Sequence, residues 1–525
     1  MIKRISVLMC GLALGLSGMA LAQNGHAWGH SEVSSAAHHD VSPPLRDIPP
    51  VVPRFIEPHE KPRPIPLGHT DGLADGQTDP VAQAVANVAV AAAAGLDFDG
   101  LGVGGGYTPN AAPPDTNGTA GATQYVQWVN EAFGVYNKST GLLVYGPANG
   151  NTLWTGFGGP CETDNDGDPI AQYDKAAGRW VMTQFAVTAA PFMQCVAVST
   201  TSDATGTWNR YSFSYGSQFN DYPKLGVWPD AYYVTYNIFS GNSFQGSKLC
   251  AFDRTSMLAG QPATQQCFQL TSAFGGVLPA DLDSATAPPA GSPNFLLNFG
   301  TNSLNLWKFH VDWATPANTT LTGPTNLPVA AFATACGGGT CIPQPGTSQK
   351  LDSLADRLMY RLAYRNFGDH EALVVNHSVK VSGNKKTEVD GVRWYELRNP
   401  GTAPTVFQQS TFSPDGNSRW MGSIAMDKVG NMALGYSVSS GTVFPSVTYT
   451  GRLVTDPLGT MGAEAVLQNG TGSQTRSLNR WGDYSAMVID PVDQCTFWYT
   501  TEYLKQNGTF NWSTRIGSFK FLNCT

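Results

Sequence analysis

Charge is scarce in this 525-residue chain. Asp, Glu, Lys and Arg together make up 13% of it, and the acids outnumber the bases to give a net charge of −8. A general nucleic-acid binder carries a basic patch to neutralise phosphates, so that class is excluded. No cysteine pair has C-x2-C spacing, which argues against a cysteine-held metal. Beyond the first 22 residues no apolar run is long enough to span a bilayer. The glycine cluster Gly102–Gly106 lacks the lysine of a phosphate-binding loop. His370-Glu371 is followed at the decisive position by Val374, not by the second histidine of a zinc-protease motif. No G-x-S-x-G elbow stands before a helix, which weakens a serine-hydrolase reading.

What is present points to an exported β protein. Residues 1–22 read as a secretory leader: Lys3 and Arg4, an apolar stretch from Ile5 to Met19, then Ala20-Leu21-Ala22 for cleavage. The mature chain is expected to be secreted or periplasmic, without a membrane span, and monomeric. Of nine cysteines Cys10 lies in the leader, and the even remainder favours disulfides. Sequence order pairs Cys161 with Cys195, Cys250 with Cys267, Cys336 with Cys341 and Cys495 with Cys524, although spacing does not fix connectivity. Residues 23–105 are rich in proline, histidine and alanine and read as a disordered tail or linker, with one short helix over the alanine-rich Val81–Gly95.

The folded domain is expected over 106–525. Its clearest element is DRLMYRLAYRNFGDHE (356–371), which puts Arg357, Arg361 and Arg365 on one face of a strand. Turn residues Asn366–Asp369 and the β-rich run ALVVNHSV follow, making a hairpin. The layout recurs: a polar header, an apolar strand ending in Asp or Asn, a turn, a second strand. Headers lie near residues 115, 168, 222, 283, 357, 419 and 480. Repeats of this length predict an all-β fold, a β-propeller of seven four-stranded blades, with six blades or a β-sandwich as alternatives.

The motifs PPDTNG (113–118), NDGDP (165–169), DYPKLGVWPD (221–230), the arginine hairpin, RWMGSIAMD (419–427) and RWGDYSAM (480–487) together resemble exported bacterial sialidase-like β-propeller proteins. The stretch Ser199–Trp208 also resembles the Asp-box turn of sialidases, with one extra residue between Asp203 and Gly206. The resemblance implies a propeller and a carbohydrate substrate. Sialidase-like sites bind a sugar carboxylate with clustered arginines and use a tyrosine nucleophile, which makes Tyr484 a candidate here. Fold alone licenses no reaction.

Candidate chemistry sits in the headers, which begin the strands lining a channel. Asp115, Asp168 and Asp483 are candidate catalytic carboxylates, and Tyr484, His370 and Glu371 candidate proton-transfer groups. Arg357, Arg361, Arg419 and Arg480 are candidate anion-binding groups, since a guanidinium grips a carboxylate or sulfate with two bonds. Asp221, Tyr222 and Lys224 complete the substrate-binding set. The same residues also suit a structural ring of ion pairs. Asp164, Asp166 and Asp168 alternate as calcium-loop oxygens do, but Gly167 and Lys175 depart from the EF-hand pattern. Two functions stay open: a glycan-active hydrolase or lyase with an acidic substrate, or a non-catalytic propeller that binds a polysaccharide, surface component or partner protein. Two carboxylates at glycosidase spacing beside a cleft favour the first, and acids locked to arginines favour the second.

Overall fold

The structure is a computed structural model that describes residues 28–52, 63–66, 72–74, 76–109, 111–384 and 386–525. The leader lies outside the described residues. The chain is almost entirely β, in a curled, propeller-like arrangement of antiparallel meanders. These run over Asn117–Asn149, Ile170–Gly216, Gln218–Gln269, Leu278–Pro328, Met359–Phe412 and Ser418–Gln468. A last one is built from Ala486–Ile489, Thr496–Leu504 and Trp512–Phe521. The first strand of each meander touches the first strand of the next, and Ala486–Ile489 returns to touch Asn117–Ala120. Two neighbours fuse into one nine-stranded sheet, because Ala280–Leu282 pairs in parallel with Leu362–Tyr364.

The sequence periodicity explains this packing. Every sheet is covered on both faces by its neighbours, so inner strands such as Ser418–Met426 are buried throughout. Large side chains fill the wedges between sheets. Trp128, Trp154, Trp180, Trp208, Trp420 and Trp481 are all fully buried, which places Trp420 and Trp481 in the core and away from any sugar platform. Side chains latch one sheet to the next across a whole repeat. Ala171 N donates to Asn117 Oδ1 at 2.7 Å, Tyr222 N to Asp168 Oδ2 at 2.9 Å and Met487 N to Ser423 Oγ at 3.0 Å. The four disulfides pair in sequence order.

The N-terminal region departs from expectation. Within residues 23–105, four segments join sheets. Glu32–Ser35 pairs with Thr264–Cys267, and His38–Val41 with Asn209–Ser212. Ala82–Gln83 pairs in parallel with Thr411–Phe412. Ala92–Gly102 becomes the fourth strand of the last meander, against Trp512–Phe521. The helix expected over Val81–Gly95 is therefore replaced by strand at both ends. The physical reason is the unpaired outer edge of each sheet, which offers backbone partners to any extended chain passing over it. Helix propensity is a weak prior beside that. Gly95 fits the role, since a Cβ there would lie 2.3 Å from Ser518 Oγ. A fully buried ion pair, Asp79–Arg393 at 2.7 Å, pins the same region to the fifth meander.

A consequence is testable. A chain starting at residue 106 lacks the strand that closes the last sheet, leaving Trp512–Phe521 as a long apolar edge. It is expected to aggregate and to show no cooperative transition when thermal unfolding is followed by circular dichroism, whereas the mature chain shows one.

Candidate functional site

Several headers meet at one end of the ring. Asp115 (φ 48°), Asp168 (47°) and Asp483 (57°) hold the left-handed backbone conformation just ahead of an inner strand, and Tyr222 (56°) and Met421 (55°) hold it at a break in register within one. This conformation costs free energy for any residue with a Cβ, most of all for Tyr and Met, so the surrounding fold must enforce it. It turns successive header side chains towards a common centre. Lys224 lies there, nearly inaccessible, with Nζ 3.4 Å from the Tyr222 ring centroid and 3.9 Å from that of Tyr484. The ammonium donates to Pro223 O at 2.9 Å. Tyr222 OH donates to Asp483 O at 3.2 Å, and Tyr484 OH to Pro169 O at 3.0 Å. Asp115 and Asp168 are hydrogen-bonded to each other through their carboxyl groups.

Electrostatics set the protonation of this cluster. Burial pushes Asp168 up, with Lys224 opposing and Asp483 adding to the rise. Burial also lifts Asp221, helped by the Asp168 charge and opposed by Arg357 and Arg63, to about 7. Lys224 is brought down by burial to about 8, against the pull of Asp168 and Asp115. Burial drives the Tyr222 and Tyr484 phenols well above their ordinary value. Glu502, a group the sequence reading missed, is likewise driven up by burial, while Gly482 N donates to it at 2.8 Å.

The arginines are committed elsewhere. Arg357 binds the adjacent Asp356 at 2.7 Å and lies 4.3 Å from the Tyr222 ring centroid. Arg480 pairs with Asp483 and stands 3.9 Å from Asp352. Arg361 is 1% exposed and sits between Asp281 and Asp283, with a further bond to Met487 O at 2.9 Å. It ties three meanders together inside the ring. Arg365 spends its donors on Met426 O, Gln494 and Asp283 O. Arg419 is held by Asp415 and Glu464 of its own meander. The expected wall of ligand-facing arginines is therefore a set of closed ion pairs.

Other expected residues lie apart. His370 and Glu371 follow the turn at the opposite end of Met359–Asn366 from Arg357. His370 contacts Asp369, and Glu371 accepts from Tyr364 OH at 2.6 Å. The proposed calcium ligands diverge. Asp164 accepts from Thr163, Asp166 from Val187 N and Thr188, and Asp168 from Tyr222 N. Asp356, Asp352 and Glu502 join the cluster without having been singled out. Asp356 was legible as the residue before Arg357, and Glu502 as an acid inside an otherwise apolar strand.

Asp221 is partly buried and has no side-chain hydrogen bond among the described residues. Around Arg357, the residues Ile65, Pro66, Gly275, Asn298 and Asp356 help line a hollow of about 10 Å³, room for a single water. Ile65 N reaches Asp356 Oδ2 at 3.4 Å, and the Arg63 guanidinium lies 3.7 Å from the Phe219 ring centroid. The N-terminal segment thus forms one wall of this end.

No protein-family model matches the chain, and no curated protein matches it. Several solved structures align with the chain at low scores. An α-L-arabinofuranosidase from Fusarium graminearum covers 86% of this chain and 99% of its own, at 9% identity and a TM-score of 0.32. A PL25 ulvan lyase covers 82% and 80%, at 10% identity and 0.27. A chain from the Saccharomyces cerevisiae complex of Dbp5 with Nup159 and Gle1 covers 85% and 100%, at 8% identity and 0.36. At such scores and identities these likenesses decide no reaction.

Proposed function

We propose that the protein is an exported, seven-bladed β-propeller that hydrolyses a neutral glycan at the Asp168–Asp221–Lys224 end of its channel. The observation that carries this reading is Asp221, a carboxyl group held at about 7 with no side-chain hydrogen bond among the described residues. At neutral pH about half of it is protonated, as a general acid for a leaving glycosidic oxygen must be. Asp168, paired with Asp115 and facing Lys224, is the second carboxyl group, suited to activating water or to attacking the sugar carbon.

The committed arginines change the substrate from the sequence expectation. Lysis of a uronic acid needs a cation to neutralise the sugar carboxylate, and Arg357, Arg361, Arg419 and Arg480 each have a carboxylate of their own. A neutral sugar and hydrolysis follow. The test is a product screen on neutral and uronate-containing polysaccharides, reading new reducing ends and unsaturated products separately. Reducing ends from neutral glycans alone support the reading. Unsaturated ends from uronates would replace it with the lyase.

Tyr484 separates this reading from a sialidase-like tyrosine nucleophile. Its hydroxyl donates to Pro169 O, and burial opposes its ionisation. Tyr484→Phe is therefore expected to keep turnover within about tenfold, a change of about 1.4 kcal/mol in barrier. Loss of all activity in a folded variant would restore the nucleophile. A second reading, binding without turnover, is favoured by the closed ion pairs and the water-sized hollow beside Arg357. Saturable glycan binding by calorimetry with no product release would establish it.

A further inference from the structure

The Cys336–Cys341 disulfide differs from the other three in its surroundings. Cys161, Cys195, Cys250, Cys267, Cys495 and Cys524 are buried, whereas Cys336 and Cys341 are half-buried in the loop CGGGTC. Two carboxylates close on this pair. Glu388 Oε1 accepts from Cys336 N at 2.6 Å, and Asp390 Oδ2 lies 3.8 Å from Cys341 Sγ. One ligand-type atom from each of the four residues falls within 4.8 Å of the others. Asp390 is fully buried; Ser418 Oγ donates to its Oδ2 at 3.1 Å, and its carboxyl group is hydrogen-bonded to that of Glu388. Two carboxyl groups bonded in this way hold a proton between them, and a divalent cation would take its place. The charged neighbours are Glu388, two residues ahead in the chain, and Lys380, which pairs with Asp390 across the strands.

We propose that Cys336, Cys341, Glu388 and Asp390 form a redox-gated site for a divalent cation of zinc's class. In the oxidised form the sulfurs are bonded to each other and cannot ligate. A dithiol reductant supplies two electrons and two protons, becomes a cyclic disulfide itself, and leaves two thiols here. A divalent cation then displaces the two thiol protons, and with the carboxylate oxygens completes a four-coordinate S2O2 set. Tetrahedral zinc with bonds of about 2.0–2.3 Å needs ligand atoms about 3.3–3.8 Å apart, so the four groups close by about an ångström. Thiolates select this class of cation over calcium or magnesium, which take oxygen ligands only. The three glycines between the cysteines let the loop move, and its exposure gives the reductant access before the buried disulfides react.

Cobalt(II) is the probe, because thiolate ligation gives sulfur-to-cobalt charge-transfer absorption. The full-length mature protein is titrated with cobalt before and after mild dithiol treatment, with free thiols counted in parallel. The reduced protein is expected to bind one cobalt per chain with charge-transfer bands, and the oxidised protein to show none. Zinc should displace the cobalt. Asp390→Asn and Glu388→Gln should each weaken binding at least tenfold while two thiols still appear on reduction. Cys336→Ser/Cys341→Ser should abolish the bands, with circular dichroism reporting that the fold is kept. The proposal is overturned if the reduced protein, with its two thiols counted, gives no charge-transfer absorption, or if the bands persist in the double serine variant.

Discussion

Arg361→Ala is expected to destabilise the protein by about 3–5 kcal/mol, the range for removing one partner of a buried ion pair. Arg361 and both of its acids are buried, and its five donors serve Asp281, Asp283 and Met487 O. Alanine would leave Asp281 with the Val227 N bond and Asp283 with Lys175 at 2.7 Å. Neither replaces a guanidinium that joins three meanders. Chemical denaturation would read the loss as a lower midpoint at unchanged slope. The triple variant Asp281→Asn/Asp283→Asn/Arg361→Met removes the charges together and is expected to recover part of it, because the penalty comes from the uncompensated carboxylates. The sign with pH follows. Asp283 is held well below the usual carboxylate range mainly by Arg361 and Lys175, against burial. Its stabilising share is present above the unfolded-state value and is lost as pH falls through the folded one. The difference between wild type and Arg361→Ala should therefore shrink in strong acid.

Asp221→Asn is expected to lower kcat/KM by about 10²–10⁴-fold, the usual contribution of a positioned general acid. The amide keeps the size of the side chain and cannot give up the proton. The variant also has a stability signature of opposite kind to Arg361. Asp221 is raised in the folded state, mainly by burial and then by Asp168. Between the ordinary aspartate value and about 7 the folded protein holds a proton that the unfolded chain has lost, so stability falls as pH rises through that window. Asp221→Asn removes this penalty. It is expected to stabilise the protein above pH 7 and to have little effect near pH 4. A substitution that stabilises the fold while removing activity is the pattern of a strained functional residue, not of a structural one.

The repeat was legible in the sequence because headers and turns recur in layout even where letters do not. The paired motifs RWMGSIAMD and RWGDYSAM mark inner strands bonded backbone to side chain across one repeat, as from Met487 N to Ser423 Oγ. Asp115, Asp168, Tyr222, Lys224, Asp483 and Tyr484 were legible as a set for the same reason, since equivalent header positions converge on one axis. Three things were not legible. Composition made residues 23–105 look structureless, but pairing to a preformed sheet edge asks only for extended backbone, as Ala92–Gly102 shows. The arginines at 357, 361, 419 and 480 share sequence prominence but not location. Whether a strand residue faces a ligand or a neighbouring acid depends on partners hundreds of residues away, as for Arg361 and Met487. Acidic alternation at 164–168 suggested one cation loop, but the left-handed turn at Asp168 swings that carboxylate into the ring and away from Asp166.

The most direct test of the account is the pH dependence of kcat/KM on a neutral glycan, measured for wild type and Asp221→Asn together. The account predicts a wild-type profile whose alkaline limb falls through about pH 7, where Asp221 loses its proton, and a variant with only residual, flat activity in that range. A wild-type profile without that limb, or one shared by Asp221→Asn, would contradict it.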